Sequence, residues 1–128
     1  AADYMRFLEA LSRGTGLGKE SRKAIFTPKV QAVRYADKPR ECDQRIFWGL
    51  GVGIEKHPEL GEVVFHWGDN GAFKSLFLIV PGKGLRQKRI MIYFTNSQAG
   101  HDVIEDMAHL FLNNSDSLAI NEWVNKNE

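Results

Sequence analysis

EVVFHWGDNGAFKSLFLIVPGKGLRQKRIMIYFTN, residues 62–96, decides the fold. EVVFHWG, 62–68, reads as one strand, and AFKSLFLIVP, 72–81, as the next. The continuous apolar run in the second implies burial on both faces. GKGLRQ, 82–87, is a glycine-rich hairpin loop, and KRIMIYFTN, 88–96, is a further strand. Strands joined by such short loops pair antiparallel in sequence order, giving a meander. Upstream, IFWGLGVGIE, 46–55, reads as a strand whose three glycines admit close approach by other backbone. Residues 57–61, HPELG, form the turn that follows it.

Helices flank this block. Tyr4, Phe7, Leu8 and Leu11 recur at helical spacing over 3–13, with Asp3 as N-cap and Gly14 as C-terminal stop. Residues 19–26 form a short second helix, ended by Thr27-Pro28. Residues 30–45 read as a weak strand followed by a surface loop. In HDVIEDMAHLFL, 101–112, the residues Val103, Ile104, Met107, Leu110 and Phe111 form one apolar stripe. NNSDS, 113–117, is a break. A last short helix over 118–124 docks Leu118, Ile120, Trp123 and Val124. The fold class is α+β, an antiparallel meander with helices on both faces, the N-terminal pair covering what the C-terminal helix leaves open.

Composition sets the outer bounds. The chain has 128 residues, 43% hydrophobic and 26% charged, a folded composition with room for one domain or part of a larger one. Seventeen Lys and Arg against sixteen Asp and Glu leave a net charge of +1. That excludes the strong basic field of non-specific nucleic-acid binding. No apolar run approaches the roughly 20 residues of a membrane span. The single cysteine, Cys42, cannot form an internal disulfide, and as a thiol in a charged loop it has no assignable partner histidine. His57, His66, His101 and His109 contain no His-x-x-x-His pair, so no metal and no cofactor is implied. GTGLGKES, 14–21, is a helix-to-helix turn and not a phosphate loop, because Arg13 and Glu20 stand where that loop needs Gly and Ser or Thr. His101 falls in the first turn of its helix and His109 in the last, where a cation suits the dipole, as Asp102, Glu105 and Asp106 suit its start. Lys83, Arg86, Lys88 and Arg89 form a basic, solvated hairpin tip.

The densest group of chemically capable residues is HWGDNGAFKS, 66–75. It places a titratable imidazole near a strand end. Gly68 and Gly71 let backbone approach a ligand, and free N–H groups there can stabilise an oxyanion. Asp69 and Asn70 are turn formers. The plain alternative is a tight hairpin holding a capped histidine.

FWGLGVGIE, then FHWGDNGAFKSLFLIVPGKG, then IYFTNS, preceded by DYMRFLEALSRGTGLG, closely resembles the C-terminal part of the serine beta-lactamase-like hydrolases. That family includes class C beta-lactamases, D-alanyl-D-alanine carboxypeptidases and related esterases. Its third motif is Lys-Thr-Gly in penicillin-binding proteins and His-x-Gly in many relatives, matched here by His66-Trp67-Gly68. The resemblance implies that His66 binds the substrate carboxylate or supports proton transfer. It implies that the Asp69 N–H pairs with the nucleophile's own N–H as an oxyanion hole. Trp67 would pack beside the site, and His66, Trp67, Gly68, Asp69 and Asn70 would together form the substrate-binding strand.

The family's first two motifs are not found. None of Ser12, Ser21, Ser75, Ser97, Ser115 or Ser117 has Lys three residues on, the spacing that brings nucleophile and base together on one helical turn. Tyr35-Ala36-Asp37 stands too near His66 for the family's second motif, and Ala72 replaces the usual Gly. The chain opens Ala1-Ala2-Asp3 with neither an initiator Met nor a leader segment. The expectation is a partial domain, the C-terminal segment of an amide, lactam or ester hydrolase, inactive alone. Its first partner would be the N-terminal part of the same protein, and an unpaired sheet edge would favour self-association. The compartment is left open, although relatives are often exported. The other reading is a non-catalytic α+β binding module.

Overall fold

A two-residue turn at 71–72 folds strand β4 (Gly61–Asn70) straight back onto β5 (Phe73–Val80), so that Asn70 faces Phe73 and Val64 faces Ile79. The computed structural model describes residues 1–85, 87–113 and 116–125. Before β4 come α1 (Ala2–Arg13), α2 (Lys19–Ile25), β1 (Val30–Gln31), a 3-10 turn (Glu41–Arg45), β2 (Ile46–Trp48) and β3 (Gly53–His57). After β5 come β6 (Arg89–Thr95), α3 (Ile104–Leu112) and α4 (Ala119–Val124). The six strands lie in sequence order in one wholly antiparallel sheet. The α+β meander expected from the sequence is therefore present, with one strand more than expected.

The extra strand comes from residues 46–55. They form a hairpin and not one strand, because the Gly49 N–H donates to the Val52 carbonyl and Ile46 returns to face Glu55. The close approach implied by the glycines is real. A Cβ on Gly53 would lie 2.2 Å from the Phe65 ring, and one on Gly49 would lie 2.3 Å from the Ile25 carbonyl.

Alternation of side chains across the pleat splits the core in two. Phe65, Leu76, Leu78, Met91 and Tyr93 face α3 and α4. Val64, Phe77 and Ile79 face the other way, toward Leu8 of α1 and Ile25 of α2. Strand β5 thus buries both of its faces, as its apolar run requires.

Several local expectations are corrected. Ala1, not Asp3, is the N-cap of α1, and Asp3 instead pairs with Arg6 in the first turn. Cys42 and Asp43 are buried, so 30–45 is not all surface loop. His101 lies before α3 and not in its first turn. The inward line of α3 is Ile104, Ala108 and Leu112, while Val103, Leu110 and Phe111 are exposed. The basic residues around 83–89 are not a free tip. Lys83 reaches the Glu59 carbonyl, Lys88 the Ser12 carbonyl, and Arg89 the Leu112 carbonyl at the end of α3. Arg86 and residues 114–115 of the expected break lie outside the described residues.

At the end of the chain, Leu118, Ile120, Trp123 and Val124 all dock as expected. The first turn of α4 is held from a distance. The buried Glu55 carboxylate accepts the Ala119 and Ile120 N–H groups at 2.9 Å and also pairs with Arg45. It satisfies donors that a helix start leaves free. No helix among the described residues is long and apolar enough to cross a membrane.

Candidate active site on the β4–β5 arm

Strand β3 begins opposite Phe65, at Gly53, so among the described residues β4 from His66 to Asn70 pairs with β5 alone. Hydrogen bonding alternates along an antiparallel strand. Asn70 faces Phe73 across the turn, so Gly68 and His66 share its direction toward β5. By the same alternation Trp67 and Asp69 direct backbone N–H and C=O toward the side that β3 leaves open. Among the described residues no strand pairs with this short stretch of sheet edge.

The pleat then distributes the side chains. The His66 imidazole is exposed, stacked on Phe77 with centroids 6.4 Å apart and tilted against Trp48 at 6.0 Å. Among the described residues it makes no side-chain hydrogen bond. A cavity of about 110 Å3 beside it is lined by Tyr4, Ser75 and Phe94 among others. Ser75 faces Gly68, whose added Cβ would lie 2.5 Å from the Ser75 Oγ. No hydrogen bond links Ser75 to His66, so that pair is not an activated nucleophile.

Trp67 points to the opposite face. It is half-buried, edge-on to His101 at 6.0 Å and to Trp123 at 6.2 Å. The Arg34 guanidinium lies 4.8 Å from the Trp67 ring centre and 5.3 Å from that of Trp123. Its buried Nη1 has no hydrogen-bond partner among the described residues. Tyr35 contributes a third ring to this stack and also packs on Arg40.

Asp69 sits across from Lys74, and the two side chains form an ion pair. The hydrogen bond from Lys74 holds the Asp69 carboxyl below its ordinary range. Asp69, Asn70 and Lys74 line a shallow cavity of about 440 Å3 that Phe73 and Phe94 also border. The five residues singled out in the sequence are therefore contiguous in the chain but divided between the two faces of the sheet. His66 stands on one face, Trp67 and Asp69 on the other, and the open edge is what they share.

His101 is the residue that sequence reasoning placed wrongly. It is buried, with Nε2 3.1 Å from the Gly68 carbonyl and Nδ1 3.4 Å from the Tyr93 hydroxyl. Burial lowers its pKa from the ordinary imidazole value, and the Gly68 contact offsets part of that effect. The neutral ring donates from Nε2 and accepts the Tyr93 O–H at Nδ1. His101 thus fixes the middle of the candidate strand from beneath. Lys74 was legible in principle, since a turn at 71–72 places it opposite Asp69.

Cys42 is buried, and burial pushes its thiol up to about 11, which leaves it a packing residue. Among the described residues no three His, Cys, Asp or Glu side chains converge as metal ligands. Comparison with protein-family models, curated proteins and solved structures finds no match for this chain.

Proposed function

We propose that this chain is the C-terminal portion of a serine beta-lactamase-like acyl hydrolase, carrying its His-x-Gly strand and half of its oxyanion hole. The observation that supports this reading is the open edge of β4, which begins at His66 and directs the backbone groups of Trp67 and Asp69 away from β5. Acyl transfer needs an N–H aimed at the oxygen that becomes negative in the transition state. The Asp69 N–H fills that role. The exposed His66 imidazole stands at the same edge to meet a substrate carboxylate or to move a proton. The attacking serine and its base come from the N-terminal part of the same protein, and the substrate is a small amide, lactam or ester.

The isolated chain therefore gives no turnover of nitrocefin or p-nitrophenyl esters, and turnover that His66→Ala abolishes would overturn the claim of inactivity. The full-length gene product carries Ser-x-x-Lys upstream of Ala1; a product without it removes the hydrolase reading.

One observation favours a non-catalytic binding module instead. The Asp69 carboxylate sits on the residue whose N–H would hold an oxyanion, and like charges there oppose each other. Lys74 neutralises it through the ion pair. Lys74→Gln separates the readings: in the full-length hydrolase it lowers kcat more than it raises KM, and a change in neither favours the module.

A further inference from the structure

A groove of about 640 Å3 lies away from the β4 edge, between the α1–α2 turn and the sheet. Its apolar lining includes Val64 and Ile79 from the sheet, with Leu17, Phe26 and Pro81 around them. Its basic lining is Arg13, Lys19, Arg22, Lys23 and Lys88, against the single carboxylate of Glu62. A chain with a net charge of +1 has here a local excess of four positive charges.

Two of these cations are held in place. The Arg22 Nη2 and the Lys88 Nζ both donate to the Ser12 carbonyl, at 2.8 and 3.3 Å. That carbonyl lies in the last turn of α1, where the helix dipole attracts cations. The Arg22 stem crosses Gly14 so closely that a Cβ there would lie 2.4 Å from the Arg22 Cδ. Each head uses one donor on Ser12 and keeps others for a ligand.

We propose that this groove binds a single-chain amphiphile with an anionic head, a medium-chain carboxylate. The head sits between Arg22 and Lys88, and the tail lies over Val64 and Ile79. The volume falls in the usual range for small-ligand sites. Charge complementarity selects the head, and the apolar floor selects the tail. The inference does not use the hydrolase reading and stands or falls separately from it.

The test is an amide-shift titration of the 15N-labelled chain with decanoate below its micellar concentration. Saturable shifts are expected at Gly14, Leu17, Val64 and Lys88. Butyrate, which lacks the tail, binds about tenfold more weakly or worse. Decyltrimethylammonium, which inverts the head charge, does not saturate those signals. Arg22→Gln and Lys88→Gln each weaken decanoate severalfold, and added salt weakens it further. Equal binding of the cationic amphiphile overturns the proposal, and that comparison needs no variant. Decanoate shifts confined to the Tyr4, Phe7 and Phe94 surface also overturn it.

Discussion

Burial penalises the imidazolium of His101 and lowers its pKa in the folded protein, and the Gly68 carbonyl opposes that shift in part. Its charged neighbours pull in opposite directions: Lys74 and Arg34 disfavour the cation, and Asp69 favours it. In the unfolded chain the same imidazole titrates at its ordinary value of 6.5. Between that value and the lower folded one, the unfolded state binds the extra proton. The stability that His101 confers is therefore complete above about pH 6.5 and drains away as pH falls toward the folded value. Urea midpoints measured from pH 7.5 down to pH 5 should fall, and His101→Gln should flatten that slope while lowering the midpoint at pH 7.5. An unchanged slope in the variant would exclude His101 as the titrating group. The depressed Asp69 pKa acts in a separate window, below the carboxylate's ordinary 3.8.

Why sequence reasoning missed this residue is a matter of one turn of chain. The apolar stripe beginning at Val103 made 101–112 read as a single helix, which would leave His101 on an exposed first turn. The helix starts three residues later, at Ile104, and the preceding turn tucks the ring under Gly68. Periodicity gives the existence of a helix more securely than its start.

Among the described residues α4 is the shortest α-helix. Six residues are too few to hold a helix by intrinsic propensity. It is fixed by apolar docking and by Glu55, which binds its first N–H groups from the sheet. Glu55→Ala leaves two buried N–H groups without a partner and strands Arg45, whose side chain keeps 34% of its surface in water. The expected cost is roughly 3–5 kcal/mol, nearer the lower figure because Arg45 can rehydrate. Glu55→Gln keeps an acceptor oxygen and should cost less. Urea denaturation at constant m value measures both, and an alanine variant of native midpoint would show that α4 does not depend on the carboxylate. The docking side chains of α4 were legible from spacing, whereas its capping group was not. Glu55 lies 64 positions from Ala119, and only strand pairing brings it there. The same distinction separates β2 and β3 from their sequence reading. Their glycines signalled close contact, but whether 46–55 ran straight or folded back depended on Val52 meeting Gly49.

For the whole molecule, the meander order and the two-sided burial of β5 could be read directly, because short loops and an unbroken apolar run admit few other arrangements. The candidate site could be read only as a string of residues. The feature on which the proposed function rests, the open edge at Trp67 and Asp69, arises because β3 stops one position short of His66, and no local pattern encodes that register.

The sheet has a second open edge with a different consequence. At one end, β1 has only two residues and offers little to pair with. At the other, β6 runs for seven residues, RIMIYFT, with no proline and no charge after Arg89. Natural edge strands usually carry such a defence against pairing with another chain. A cavity of about 350 Å3, lined by Met5, Ile90, Ile92, Met107 and Phe111 among others, lies against this strand. Phe94, packed edge-on to Tyr4 at 5.9 Å, keeps 54% of its surface exposed. Two copies that add β6 to β6 antiparallel would extend the sheet through a two-fold axis and pair the open edge. The weight-average mass in sedimentation equilibrium should rise with concentration toward that of a dimer. Phe94→Lys, which puts a charge on the edge without disturbing the buried faces, should hold the chain monomeric at the same concentration. A wild-type chain that stays monomeric at high concentration would show that the uncharged edge of β6 does not drive pairing.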